Sequence, residues 1–344
     1  MNARHPRFGI LIFVVLAGPL IAMIAPPAEC VPPPSGSPNA IVLVSGLEGG
    51  SGSTIGPDGG LYVTESAAGR ISRVDPQTGQ ITTFASGLPK QIPAIGFGGA
   101  VDVAFIGNTA YALVTLVSPD VGGSDVDGIY RVDGPDSFTV VADIGDFNKN
   151  NPPTIPFPFV VATGVQYALQ TYRAGFLVTD GHLNRVLRVT RDGDVSVLIA
   201  FDNVVPTGLA VSGNTVYMAE AGPVPHLPQN GKVVAFAFGP KPPTATVVAS
   251  GASLLVDVEF GRGRLLYALS QGPGVPGAPA GSPAQPNTGA LVQVNGDGTL
   301  TSIVDGLDRP TSLEFIGTTA YVVTLTGEIL KIDDVSGPPF GASS

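Results

Sequence analysis

The sequence predicts an all-β fold, a six-bladed β-propeller closed by an N-terminal strand that completes the last blade. Three observations support this prediction. Short segments of alternating apolar and polar residues recur along the 344-residue chain, each bounded by Gly, Pro, Asn or Asp. One apolar–aromatic–apolar segment returns six times, with its aromatic residues 49, 65, 41, 50 and 54 positions apart, which is the spacing of four-stranded blades. The sixth unit lacks a fourth strand, and a matching strand precedes the first unit.

Within each predicted unit the strands follow in a fixed order. An inner strand comes first, at residues 53–55, 101–103, 163–165, 207–209, 256–258 and 312–314. The second strand carries the aromatic residue, which is Tyr62, Tyr111, Phe176, Tyr217, Tyr267 or Tyr321. Third strands follow, as at residues 70–74, 185–189 and 329–332, and then fourth strands, as at residues 81–84, 195–198 and 300–303.

The missing fourth strand of the last unit is predicted at residues 40–47. This segment is similar to residues 81–88 and 300–307 and, like them, ends in Gly-Leu. A strand donated from the start of the domain would join the two ends of the ring and leave no open sheet edge between them.

The composition excludes several classes of protein. Hydrophobic residues make up 44% of the chain and its mean hydropathy is +0.32, so a large core can form and most of the chain is not intrinsically disordered. The 17 Lys and Arg residues against 27 Asp and Glu give a formal net charge of −10. Because nucleic acids and anionic membranes are bound by clustered basic side chains, we expect neither as a partner.

Both ends of the chain differ from the predicted propeller, residues 39–336. Residues 1–30 have a basic start and a long uncharged apolar run, typical of a signal peptide, so we expect the mature chain to be secreted or to lie in the periplasm or cell envelope, without a transmembrane domain. An uncleaved anchor and a lipidated Cys30 are the alternatives. Residues 31–38 are predicted to be a Pro-rich linker and residues 337–344 a flexible tail. No Cys follows Cys30, so intrachain disulfides do not stabilise the domain.

The longest predicted connections fall on one face of the propeller. This face carries the connections between the second and third strands of a blade and those between successive blades, and we call it the long-loop face. The long connections are residues 118–127, 221–230 and 272–287 within blades, and residues 89–99 and 146–158 between blades. Long loops on a rigid scaffold often carry function, and neutral variation of surface loops is the alternative.

Polar side chains predicted near the channel or on the long-loop face form the candidate ligand-binding set. They are Glu48, Glu65, Asp102, Asp146, Asp180, Thr207, Glu220, Asp257 and Arg309. Asp102 and Asp257 lie within predicted inner strands, where a carboxylate is either hydrogen-bonded to water and backbone or engaged with a cation or ligand. Glu65 and Glu220 end equivalent strands of two blades, which favours a structural hydrogen bond repeated with the blade.

The residues also limit the metals and chemistries to be expected. Only His182 and His226 lie beyond the N-terminal segment, and no Cys does, so a zinc or copper centre is not expected. His182 is interpreted as part of a blade hairpin and His226 as exposed in a Pro-flanked loop. Ca²⁺ or another oxygen-ligated divalent cation is the metal class that the sequence allows, with Glu48, Asp102 and Asp257 as the best candidate ligands. The sequence contains no serine nucleophile motif, P-loop or dinucleotide fingerprint.

Several motifs resemble those of the secreted NHL-like propellers, and most closely those of the ScyD/ScyE family. They are Gly46-Leu47, residues 56–65, 87–89 and 98–105, and residues 306–311. The resemblance covers about residues 40–333, and residues 180–186 are similar to the NHL blade hairpin. It implies an exported six-bladed propeller.

A second resemblance is to the gluconolactonase family, six-bladed propellers in which Glu, Asn and Asp hold a divalent metal at the channel mouth. Glu48 matches the first of these ligands, but Thr stands in place of the expected Asp in residues 206–208 and 310–312. This departure favours a protein that binds a small molecule, glycan or protein on the long-loop face without catalysis. We expect the protein to be a monomer. The alternative is a metal-dependent, lactonase-like hydrolase or isomerase acting on a small substrate at the channel mouth.

Overall fold

Six four-stranded antiparallel sheets make up the fold, and the computed structural model confirms the predicted six-bladed β-propeller. It describes residues 39–154, 161–239, 242–279 and 281–336. The predicted signal peptide with Cys30, the linker at residues 31–38 and the tail at residues 337–344 lie outside these ranges.

Each blade runs from an inner strand to an outer strand, with the strands in chain order. Blade 1 comprises β2 (Gly50–Ile55), β3 (Leu61–Glu65), β4 (Arg70–Val74) and β5 (Ile81–Ser86). Blade 2 comprises β6 (Gly99–Ile106), β7 (Thr109–Thr115), β8 (Gly128–Gly134) and β9 (Ser137–Asp143). Blade 3 comprises β10 (Gln166–Tyr172), β11 (Gly175–Asp180), β12 (Arg185–Thr190) and β13 (Val195–Ala200). Blade 4 comprises β14 (Pro206–Ser212), β15 (Thr215–Glu220), β16 (Lys232–Ala237) and β17 (Thr246–Ser250). Blade 5 comprises β18 (Leu255–Phe260), β19 (Leu266–Ser270), β20 (Gly289–Val294) and β21 (Leu300–Leu307).

Blade 6 combines strands from both ends of the domain. It comprises β22 (Pro310–Ile316), β23 (Thr319–Thr324), β24 (Ile329–Ile332) and, outermost, β1 (Ala40–Val44). β1 pairs antiparallel with β24, with Ala40 opposite Ile332 and Val42 opposite Leu330. The predicted closure of the ring by an N-terminal strand is therefore confirmed.

The aromatic residues that marked the repeat pack between neighbouring sheets. Tyr62 of blade 1 lies 4.8 Å from Phe105 of blade 2, measured between ring centroids, and Tyr267 of blade 5 lies 4.9 Å from Phe315 of blade 6. Edge-on and tilted aromatic contacts of this kind add to the burial of apolar area. The core thus consists of layers between blades, and the repeat places one large ring in most of them.

Helices are few in the described part of the chain. The α-helix α1 (Ile144–Asn150) occupies the connection from blade 2 to blade 3, where Asp143 caps it by accepting from the backbone N–H of Asp146. The 3₁₀ helices are Pro119–Val121, Pro228–Asn230 and Arg262–Arg264. Within the described ranges, no helix is both long and apolar enough to cross a bilayer.

The inner strand of blade 3 departs from the prediction. It begins at Gln166, whereas the sequence pattern placed it at residues 163–165. Gly164 has a φ of +77°, a left-handed conformation that does not continue a β-strand. The Asn148 amide donates to the Thr163 carbonyl at 2.8 Å, which anchors this segment to α1.

Candidate functional site: the central channel

A cavity of about 1010 Å³ opens into the middle of the propeller. The inner strands form its wall, and residues from the long-loop face form its mouth. Apolar side chains around the mouth include Ile95, Phe97, Leu116, Val121, Val161, Val205, Leu254 and Leu325. The cavity has the size and the mainly apolar rim of a small-molecule site.

Asp102 and Asp257 both line this cavity, and they occupy equivalent places in blades 2 and 5. Asp102 Oδ2 accepts from the backbone N–H of Leu169 on the next inner strand at 2.7 Å, and Oδ1 accepts from Val103 N–H at 2.8 Å. Asp257 repeats the arrangement, with Leu313 N–H at 2.7 Å and Val258 N–H at 2.8 Å. Each carboxylate therefore links its blade to the following one.

Glycines in the preceding blades make room for these two carboxylates. A Cβ atom added to Gly52 would overlap with Asp102 Oδ1, and one added to Gly208 would overlap with Asp257 Oδ1. The pattern of a glycine, an aspartate and a backbone donor thus occurs twice around the ring, in blades 1 to 3 and in blades 4 to 6. Because the two aspartates are three blades apart in a ring of six, they lie on opposite sides of the channel.

Two further channel carboxylates, Glu259 and Glu314, were not among the predicted site residues. They occupy equivalent positions on the inner strands of blades 5 and 6, opposite Tyr267 and Tyr321 respectively. Alternation along a strand gives the signal that could have found them, because Glu259 lies two residues after Asp257 and so shares its face. The described channel therefore contains four carboxyl groups.

The surroundings of these four carboxyl groups disfavour their ionised forms. Burial raises the pKa of Asp257 to about 7 and that of Glu259 to about 8, and nearby Asp257 adds to the effect on Glu259. Burial also raises the pKa of Asp102 and Glu314 well above the ordinary range. Glu314 is further affected by the negative charges of Glu259, Asp257 and Asp102.

No Lys or Arg lines this cavity in the part of the chain that the structure describes. The basic side chains that do line it are His182 and His226. His226 was expected to be exposed; it is half-buried, and its Nδ1 lies 2.7 Å from the Gly222 carbonyl oxygen. The channel is thus an apolar mouth leading to an acidic interior, with no Lys or Arg among the described residues of its lining.

Thr207 also lines the channel, as expected, but its hydroxyl is engaged with backbone. It donates to the carbonyl of Leu255 at 2.8 Å and to that of Ala219 at 3.1 Å. Like the two aspartates, Thr207 connects one inner strand to the next.

Glu48 and Glu65 form an ion-pair group outside the channel lining. Glu65 is fully buried and accepts from Arg70 Nη2 at 2.6 Å, from Ser72 Oγ at 2.5 Å and from the backbone N–H of Glu48 at 2.7 Å. The Glu48 carboxylate is exposed and lies 3.3 Å from Arg70 Nη1. Burial opposes ionisation of Glu65, but these donors together hold its pKa below the usual value. The structure therefore does not bring Glu48 together with Asp102 and Asp257.

Asp180 belongs to a buried polar network in blade 3, at the end of β11 on the long-loop face. Its carboxylate accepts from Leu183 N–H at 3.1 Å and from Asn148 Nδ2 at 2.6 Å, while Arg185 Nη2 donates to Asn148 Oδ1 at 2.7 Å. Burial raises the pKa of Asp180, and the charge of Arg185 opposes the rise. This network fixes a hairpin and α1, as in the structural interpretation of this segment.

The remaining predicted residues do not line the channel. Asp146 is exposed on α1, where its carboxylate accepts from Asn150. Arg309 pairs with Asp308 at 2.8 Å. Glu220 is buried opposite Lys232, and burial raises its pKa to about 7 although the Lys232 charge lowers it. No group of three or more His, Cys, Asp or Glu side chains in the described ranges is arranged to hold a metal ion.

Comparison with known proteins gives likeness of structure. Neither a family model nor a curated protein sequence matches the chain. A gluconolactonase from Xanthomonas campestris superposes with a TM-score of 0.59 at 13% identity, over 87% of this chain and 90% of that one. The PQQ-bound aldose sugar dehydrogenase from Streptomyces coelicolor gives 0.57 at 16% identity, over 88% and 99%. Virginiamycin B lyase from Staphylococcus aureus gives 0.51 at 14% identity, over 86% and 98%. At these identities the likeness establishes the propeller fold that this chain shares with them.

Proposed function

We propose that this protein binds a small molecule in the central channel, which the ligand enters from the long-loop face, and that the ligand has an apolar body and a positively charged end. The supporting observation is the division of one cavity into an apolar mouth and an interior with four carboxyl groups. A concave, enclosed site of this size suits a small molecule better than a glycan or protein surface. We further propose that the protein is exported, on the basis of residues 1–30, and that it is a propeller of the ScyD/ScyE type, on the basis of the motif resemblance.

The positive charge follows from the cost of the acidic interior. Several carboxylates in a shared apolar-walled space must be protonated or neutralised by a cation. An ammonium group among Asp257, Glu259 and Glu314 would supply the positive charge that no Lys or Arg in the described lining provides, and would favour their ionised forms. Phe97 and Leu116 at the mouth would contact the apolar part of the same ligand.

A matched pair of probes tests this proposal. We expect calorimetry to detect binding of 3-phenylpropylammonium to the intact protein at pH 8, and no binding of 3-phenylpropanoate, whose shape is similar and whose charge is opposite. The double variant Glu259→Gln/Glu314→Gln should weaken ammonium binding by at least about tenfold, or about 1.4 kcal/mol.

Gln imitates a protonated Glu in shape, so the double variant is expected to fold. Asp192→Asn, an exposed change on the face opposite the long loops, is the control for loss of negative charge and should bind as the wild type does. Equal binding of both probes, or unchanged ammonium binding by the double variant, would contradict the proposal.

A metal-dependent lactonase is the second candidate, and the likeness to a gluconolactonase is the observation that favours it. The residues present do not fit the metal of that family. Glu48 pairs with Arg70 away from the channel, and both carboxylate oxygens of Asp102 and of Asp257 already accept hydrogen bonds from backbone N–H groups. We therefore derive no catalytic step from it. Hydrolysis of glucono-δ-lactone that depends on an added divalent cation would establish this second function in place of the first.

A further inference from the structure

Three buried side-chain oxygens near the channel mouth form no hydrogen bond within the described structure. They are Ser118 Oγ, Asp127 Oδ2 and Thr163 Oγ1. Ser118 is 6% exposed, and Asp127 and Thr163 are each 1% exposed. The first two residues lie near the two ends of the connection between β7 and β8, and the third lies in the connection from α1 to β10.

The three oxygens belong to one small space. The hydroxyl groups of Thr163 and Ser118, and the backbone N–H of Ser118, all lie near the Asp127 carboxylate, but neither hydroxyl donates with hydrogen-bond geometry. Gly145 packs beside them, since a Cβ added there would lie 3.2 Å from Asp127 Cβ and 3.4 Å from Thr163 Cβ. The other carboxylate oxygen, Asp127 Oδ1, accepts from Val117 N–H at 2.8 Å.

A carboxylate oxygen in this position needs a partner. A buried carboxylate oxygen without a hydrogen bond is costly, so Asp127 Oδ2 is stable only if it is neutralised or hydrogen-bonded. One carboxylate oxygen and two hydroxyl oxygens supply only hard oxygen donors, which Ca²⁺ accepts in irregular arrangements with water completing the shell. Mg²⁺ requires near-ideal octahedral geometry and is less suited to such a site.

We propose that Asp127, Ser118 and Thr163 bind a Ca²⁺ ion that joins the β7–β8 connection to the connection entering blade 3. With a single carboxylate, the site is expected to bind in the range of about 10⁻⁴–10⁻³ M that is typical of extracellular calcium modules. Both joined segments contribute to the channel mouth, through Leu116 and Val161. The inference does not depend on what the channel binds, because none of the four channel carboxyl groups takes part in it.

Thermal unfolding of the intact domain tests the site. In 5 mM Ca²⁺ the wild type should unfold about 2–4 °C higher than in a chelator, and Mg²⁺ should not reproduce the rise. Asp127→Asn should lose the Ca²⁺ effect, since it keeps the acceptor for Val117 N–H but removes the charge. Asp125→Asn, an exposed acid in the same connection, should keep the full effect.

Further variants keep the test decisive. Ser118→Ala should weaken Ca²⁺ binding several-fold in calorimetry while the domain stays folded, which guards against misfolding of the Asp127 variant. Glu259→Gln/Glu314→Gln should keep the Ca²⁺ shift. The proposal is overturned if the wild type shows no Ca²⁺ shift, which would mean that water or a proton satisfies Asp127. It is also overturned if Asp127→Asn retains the shift or if the channel double variant abolishes it, since the ion would then lie elsewhere.

Discussion

Glu65 and Glu220 end the second strands of blades 1 and 4, and their surroundings make them chemically different. Glu65 accepts from Arg70, Ser72 and a backbone N–H, which stabilises the carboxylate in spite of its burial. At Glu220 burial outweighs the charge of Lys232, so the neutral acid is favoured up to a pKa of about 7. The same residue type at the same place in the repeat therefore prefers opposite charge states.

Replacing these two residues by Gln should have different effects on stability. At pH 8, Glu65→Gln should lower the free energy of unfolding by about 1.5–3 kcal/mol, because hydrogen bonds to a charged group are lost. Glu220→Gln should leave it unchanged or raise it, because at pH 8 the Glu220 carboxylate is ionised against the cost of burial, and neutral Gln does not bear that cost. Urea unfolding of both variants measures the difference, and equal losses for the two would show that this distinction is wrong.

The residue scale also shows what could be predicted from sequence. Asp102 and Asp257 were found because they stand in apolar inner strands, where charge is unusual. Glu259 stands two positions after Asp257, and Glu314 two positions after Ser312, on the same inner strands. Because residues two positions apart on a strand share a face, this spacing predicts both Glu side chains in the channel. The Ser118, Asp127 and Thr163 group had no such signal, because its members come from separate connections that only the tertiary structure brings together.

At the scale of elements, the outer strand of the last blade makes the ring continuous. Val44 of β1 is buried in a cluster with Tyr321 and Val323 of blade 6 and with Leu61 of blade 1. Val42, two residues earlier on the same strand, is 55% exposed, and the pairing of β1 with β24 shifts register between Val42 and Val44, so these two residues do not share a face. One strand thus has a side that closes the core and a side that faces solvent.

This difference gives a matched pair of variants. Val44→Asp should lower the free energy of unfolding by more than about 3 kcal/mol, because it places a charge in the cluster between the last and first blades. Val42→Asp should change it by less than about 0.5 kcal/mol. Denaturant unfolding and limited proteolysis compare the two, and similar stability of both would contradict the role given to β1.

The elements that the sequence missed have local causes. Residues 163–165 and 207–209 both contain Thr-Gly before an apolar residue, which led to the same strand prediction. In blade 4 this segment lies within β14, whereas in blade 3 Gly164 turns left-handed and the strand starts later. α1 was missed because seven residues within a loop carry little helical periodicity.

At the scale of the whole molecule, the acidic channel should give the protein an unusual dependence on pH. The folded-state pKa values of about 7 for Asp257 and about 8 for Glu259 lie above the value of about 4 in an unfolded chain. Between pH 5 and 8 the native state therefore holds more protons than the unfolded state, so stability falls as the pH rises.

Urea unfolding at pH 5.5 and pH 8.5 checks this expectation. The wild type should be more stable at the lower pH, and Glu259→Gln/Glu314→Gln should reduce the difference. Carboxylates with lowered pKa values, such as Glu65, titrate below this range and do not contribute to it. A wild-type stability that is constant or rises towards pH 8.5 would show that the channel carboxyl groups are compensated in another way.

The most direct test of the central claim, that the acidic channel interior binds a cationic ligand, is the count of protons released when such a ligand binds. Titration calorimetry with 3-phenylpropylammonium at pH 7, in two buffers with different ionisation enthalpies, measures this count. The account predicts net proton release, because the bound cation would ionise carboxyl groups that are partly protonated in the free protein. Binding without proton release, or with proton uptake, would contradict it.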